Sequence, residues 1–244
     1  MIKQSFITEK HRLKLIDWII EIEEKFSFLE ETLFLTINII DRYLTKCENV
    51  ELSKLQLVGV AAMFIAGKYQ EIYPPELRDY IHLSGFTKEK ILKMEEDILR
   101  TLNFELLIVS PLNFYNRLYF ICAGNEKELD KVKYHKNYYH GLYLMQLSLL
   151  EYKMLKYPAS VIASSACILS RKFNQITPSW PKQLMSEQGF HDFETVEECI
   201  KDIIKLLVNE KASNIKGLRK KFSKDSYFAV YNCVVTGKFF NVKN

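Results

Sequence analysis

The sequence predicts an all-α protein built as two tandem five-helix bundles, and three observations carry that prediction. Apolar residues recur at spacings of three and four along most of the chain, the period of helices that each bury one stripe. Only eight glycines and six prolines interrupt 244 residues, few for a fold of short strands and tight turns. Three landmarks return at a common offset of 104 residues: Lys68-Tyr69 as Lys172-Phe173, Pro74 as Pro178, and Gly85-Phe86 as Gly189-Phe190. The bundles are predicted over residues 1–108 and 109–209, followed by a tail over 210–244.

In the first bundle, Leu15, Ile19, Ile22 and Phe26 lie on one stripe, so the first helix is predicted from about Glu9 to Phe26. Leu33, Ile37, Ile40 and Leu44 place a second helix over Thr32 to Leu44, with a break around Cys47 to Val50. Ser53 is the expected N-cap of a third helix over Lys54 to Tyr69. Its small residues Gly59, Ala61, Ala62, Ala66 and Gly67 let neighbouring backbones approach, which predicts a central, buried helix. Pro74 and Pro75 are expected to open a short fourth helix that ends at Gly85. Thr87 caps a fifth, whose apolar side carries Ile91, Met94, Ile98, Leu102 and Leu106. Ser110-Pro111 restarts the pattern. In the second bundle, Lys172 ends a helix rich in Ala159, Ser160, Ala163, Ser164, Ser165 and Ala166, as Lys68 ends the third.

Composition narrows the function classes. A net charge of +4 from 34 basic and 30 acidic residues gives no mandate for nucleic acid or an anionic membrane. The opening MIKQSFITEKHRLK lacks the apolar core of a signal peptide, and no stretch of eighteen apolar residues is free of charge. The five cysteines are odd in number and scattered, which suits free thiols in a reducing compartment. An intracellular protein of the nucleus or cytoplasm is expected. The chain contains no GxGxxG, GxxxxGKS/T, GxSxG, HExxH or CxxC pattern, so no enzyme and no cofactor is indicated. His135 and His140 are five apart and do not share a helix face, which favours packing or exposed histidines over metal ligands. The charged stretch Arg219 to Lys224 reads as a solvated tail.

The segments RLKLIDWIIEI, ETLFLTINIIDRYL, KLQLVGVAAMFIAGKYQEIYPPE and ILKMEEDILRTLNFEL resemble successive helices of a cyclin box, in order and at ordinary spacing. YPASVIASSACIL, SWPKQL and LRKKFSKDSYFAV continue the resemblance, which is nearest to the A- and B-type mitotic cyclins and covers nearly the whole chain. It implies two five-helix cyclin boxes and a non-enzymatic regulatory subunit that activates a cyclin-dependent protein kinase in the cell cycle. Other readings are a cyclin-box transcription factor, disfavoured by the balanced charge and the missing cysteine pairs, and a non-activating scaffold.

The resemblance also assigns residues. Arg12 and Asp41 correspond to a structural ion pair. Lys68 and Glu95 correspond to the charged pair that grips the kinase's regulatory helix, with Ile65, Tyr69, Glu71, Leu99, Phe104 and Leu106 on surrounding contact positions. A substrate-docking groove for Arg-x-Leu motifs is matched at Leu15, Trp18, Glu21, Leu55 and Gln56. It diverges at His11 and Lys14, where the family has methionine and isoleucine, so altered docking is expected. No RxxLxxxxN motif precedes the first helix, and the extra amino-terminal helix common in the family is expected to be missing or cut short.

Overall fold

The computed structural model describes residues 4–123, 131–180, 193–210 and 215–235. Among these are eleven α-helices, three short 3-10 turns and no strand. The helices gather into two units, residues 1–108 and 109–244.

The first unit contains α1 (Glu9–Phe26), α2 (Glu30–Lys46), α3 (Leu55–Gln70), α4 (Leu77–Ser84) and α5 (Lys88–Thr101). Thr8 starts α1: its hydroxyl accepts the His11 N–H, while His11 Nδ1 accepts the Thr8 N–H. That reciprocal box satisfies two of the donors a helix start leaves open. Ser27 closes α1 in the left-handed region at φ 54°. No side chain at Leu29 caps α2; Glu71, just past α3, does so across the fold, accepting the Leu29 N–H at 2.8 Å and the Thr32 hydroxyl at 2.5 Å. A carboxylate there also complements the positive end of the α2 dipole.

α3 is buried on every side from Val58 to Gly67 and packs against α2 and α5, with α1 and α4 also in contact. Gly59 and Gly67 allow this: a β-carbon at Gly59 would lie 2.8 Å from Leu15 Cδ1, and one at Gly67 2.9 Å from the Tyr80 hydroxyl. Around α3, Ile16, Ile20, Leu35, Ile39 and Ile40 are fully buried, as is its own Val58. Each such side chain contributes about 1.5–3 kcal/mol by leaving water.

Three local expectations are corrected. Ser53 is not an N-cap: it lies in a 3-10 turn, Leu52–Lys54, with its hydroxyl on Glu51, and α3 begins at Leu55 without a side-chain cap. Pro74 and Pro75 precede α4 rather than forming its first turn; Glu76 leads into it, donating its N–H to Asp79 Oδ2 at 2.8 Å. Leu106 is beyond α5, because the chain turns at Asn103 and Phe104, both at positive φ.

The second unit contains α6 (Pro111–Ala123), α7 (Lys131–Leu150), α8 (Ala159–Phe173), α9 (Phe193–Glu210), α10 (Gly217–Phe222) and α11 (Val230–Val235). α8 repeats α3 at the 104-residue offset, with Ala163, Ser164, Ser165 and Ala166 packed among α6, α7 and α9. Gly189 and Phe190 lie outside the described residues. His135 is exposed and His140 is buried against Phe173, and no metal-binding cluster occurs among the described residues.

The solvated-tail expectation for Arg219 to Lys224 is overturned. Lys221 and Phe222 are fully buried, and α10 and α11 pack on α7, where the Phe222 ring meets Tyr143 edge-on at 5.3 Å. Arg219 Nε donates to Glu210 Oε1 at 2.7 Å, which pairs the otherwise buried Glu210 carboxylate. The basic run looked solvated because its apolar partners, Leu218 and Phe222, are interleaved with charge in a helix of under two turns.

Candidate functional site

Two surfaces of the first unit gather the residues singled out from the sequence. The first surrounds the carboxy-terminal ends of α3 and α5. Lys68, in the last turn of α3, donates to Glu95 Oε1 on α5, and its ammonium stands 4.1 Å from the centre of the Phe64 ring. The Lys68 side chain is 47% exposed and that of Glu95 11%, so the lysine is the outward half of the pair. Helix spacing explains the Glu95 environment: it shares the inward face of α5 with Ile91 and Ile98, both buried.

Tyr69 is half-exposed, Ile65 lies buried beneath it, and Leu99 and Leu106 are partly buried. Phe104 is 67% exposed at φ 58°, an uncommon backbone conformation for a bulky residue. Its own N–H is nevertheless satisfied by Leu99 O at 2.9 Å. Tyr69, Phe104, Leu106 and Leu107 line a hollow of about 480 Å³ together with Asn38 and Arg42 of α2. Arg42 Nη1 braces its edge by donating to Glu105 O at 2.7 Å.

Glu71 is placed differently from its neighbours, since its Oε1 caps α2. Ile72 and Tyr73, 84% and 92% exposed, extend the apolar surface from α3, and Leu107 adds to it beside Phe104. Sequence reading passed over these three. The available signal was an Ile-Tyr pair in a loop immediately before two prolines, where no helix can turn it inward.

The second surface is a groove of about 290 Å³ between α1 and the start of α3. Leu15, Trp18, Leu52 and Leu55 make it apolar; His11, Lys14 and Gln56 supply its polar atoms. Glu21 does not line it. Leu52 was missed because the turn that presents it follows no helical period.

Beneath the groove, Arg12 Nε and Nη2 donate to Asp41 Oδ1 and Oδ2 at 2.6 and 2.7 Å. Arg12 is 1% exposed, and this two-point pair fixes α1 to α2. Tyr43 donates to Asp97 Oδ2 at 2.5 Å, joining α2 to α5; burial, then this hydrogen bond, pushes the phenol pKa up.

The arrangement offers apolar surface, charge and shape for binding a protein. Among the described residues no helix is long and apolar enough to cross a membrane.

Comparison with known proteins agrees with this architecture. The cyclin N-terminal domain model matches residues 1–107 and the cyclin C-terminal domain model residues 109–236. Cyclin-A1 of Homo sapiens is 35% identical over 236 residues, covering 94% of this chain and 48% of its own length. The G2/mitotic-specific cyclin-A of Spisula solidissima is 34% identical over 232 residues, 94% of this chain and 52% of its own. The G2/mitotic-specific cyclin-B of Dictyostelium discoideum is 33% identical over 222 residues, 90% and 48%. The chain thus spans about half the length of these curated relatives.

Among solved structures, a viral cyclin from herpesvirus saimiri superposes with a TM-score of 0.72 at 19% identity, over 88% of this chain and 90% of that one. A chain of the yeast TFIIK complex of Kin28, Ccl1 and Tfb3 gives 0.62 at 15%, over 80% and 87%. With both domain models in chain order across nearly its whole length, the protein belongs to the cyclin family.

Proposed function

We propose that this chain is the regulatory subunit of a cyclin-dependent serine/threonine protein kinase, acting inside the cell, in the nucleus or cytoplasm, and performing no chemistry itself. The observation that carries the reading is the Lys68–Glu95 pair beside the exposed apolar set Tyr69, Ile72, Tyr73 and Phe104. A kinase is active when its strand lysine is paired with the glutamate of its regulatory helix and its activation loop is ordered. A surface that binds that helix only in its inward position selects the active state.

Moving a kinase from about 1% to 99% active requires roughly 5.5 kcal/mol of differential binding. A standard protein interface, with apolar anchors around a charged pair, has the capacity for that difference. Tyr69 and Phe104 are the proposed anchors, with Ile65, Leu99 and Leu106 supporting them and Glu71 holding α2 behind the hollow.

Lys68→Ala with Glu95→Ala is expected to abolish activation of the partner kinase while the purified protein keeps its helical circular-dichroism spectrum. Full activation by the folded double variant refutes the assignment. Removing both partners avoids leaving Glu95 as an unpaired carboxylate in a mostly buried position.

The groove between α1 and α3 is read as a peptide-docking site in which Arg-x-Leu binding is weakened. His11 and Lys14 reduce its apolar area, and Lys14 opposes an incoming arginine.

A further inference from the structure

We infer that the groove between α1 and α3 takes a short acidic-aliphatic peptide, one that places a leucine on the apolar floor and an aspartate or glutamate against His11 and Lys14. The inference rests on the groove being a docking site, and it reverses the charge preference. Leu15, Trp18, Leu52 and Leu55 give a floor fit for an aliphatic side chain, and about 290 Å³ lies near the lower limit of ligand pockets, about 300 Å³. That size suits a short segment better than a folded surface.

The polar end of the groove has one charge sign. His11 and Lys14 are the ionisable side chains that line it. Lys14 is exposed and has no carboxylate partner among the described residues. The nearest acidic residue of the 3-10 turn, Glu51, is already paired with Lys54 at 2.9 Å. Glu21 stands seven residues beyond Lys14 on α1, roughly 10 Å along the axis, outside the lined volume.

Lys14 supplies the charge, and His11 adds direction. Its Nδ1 accepts the Thr8 N–H at 3.2 Å, so the ring is held as the tautomer that carries its proton on Nε2. The remaining polar edge of this groove-lining ring is therefore a donor. Gln56 contributes an amide. An aspartate or glutamate can accept from His11 and pair with Lys14, whereas an arginine in the same place meets a donor and a cation.

The test titrates two labelled peptides into the full chain by fluorescence anisotropy, identical except for Glu or Arg two positions before a leucine. The Glu peptide is expected to bind about tenfold tighter at low ionic strength, the gap narrowing as salt screens the Lys14 charge. Lys14→Glu is expected to reverse the order. Leu52→Asp, at an exposed position that leaves the core intact, is expected to abolish binding of both.

An Arg peptide that binds equally well or better overturns the acidic preference while leaving the docking reading in place. If neither peptide binds, the docking reading fails and the inference with it. Glu-peptide binding that survives Leu52→Asp places the ligand elsewhere and overturns the inference.

Discussion

Arg12–Asp41 and Lys68–Glu95 are both lysine- or arginine-to-carboxylate pairs on packed helices, yet their surroundings give them different work. Arg12 is sealed from water and held at two points, so Asp41→Asn removes the carboxylate charge that both of these hydrogen bonds reach. The expected cost is about 3 kcal/mol, read as a lower urea midpoint at unchanged denaturant slope. Lys68 is half in water, where a partner can reach it. Neither pairing is visible from spacing alone, because the partners are 29 and 27 residues apart and meet only when separate helices pack. The family resemblance supplied the names; the fold supplies the contact. Phe104 was named through the resemblance as a contact position, but the backbone that exposes it was not legible: Asn103 is a residue type that enters the left-handed region readily, whereas Phe104 at φ 58° is not.

At the scale of elements, periodicity was the reliable guide. The span predicted for the first helix coincides with α1, and Thr87 and Gly85 act as the caps expected of them. Reading failed where a long-range contact replaced a local signal. Glu71 caps α2 from 42 residues away, a 3-10 turn displaced the start of α3 past Ser53, and α10 is stabilised by docking on α7 rather than by its own composition. Small residues were correctly read as permitting close packing at Gly59 and Gly67, and Gly141 on α7, which the sequence reading passed over, is the tightest of the helical glycines. A β-carbon there would overlap the phenol ring of Tyr115, which is itself fully buried. Gly141→Ala is therefore expected to destabilise the fold by at least the roughly 1–3 kcal/mol typical of overpacking, read as a severely lowered thermal midpoint. Gly59→Ala meets the Leu15 side chain, most closely at its Cδ1 methyl, so it is expected to be milder; equal losses for the two would contradict this account.

For the whole molecule, stability should fall on acidification, and His140 gives the reason. Burial, reinforced by the Lys136 charge, lowers its pKa from 6.5 to about 4. Between these values the unfolded chain binds a proton that the folded chain refuses, so stability is complete above pH 6.5 and declines as pH drops toward 4. The loss approaches about 3 kcal/mol. Asp202, held at about 2 chiefly by the Lys205 hydrogen bond, contributes a further decline below pH 3.8. Urea unfolding at pH 7 and pH 4.5 should show the His140 component, and His140→Gln should make the dependence shallower. An unchanged dependence would exclude His140 as its source.

The repeated architecture has a consequence for stoichiometry. Lys172 of α8 occupies the place that Lys68 holds in α3, but 104 residues after Glu95 stands Cys199, buried, with a thiol pKa pushed up to about 11. The first unit holds both members of the charged doublet, while the second holds a lysine and, in place of the carboxylate, a buried thiol. On the kinase-binding reading proposed above, a kinase that recognises the doublet finds it once among the described residues, and the complex is expected to form one to one.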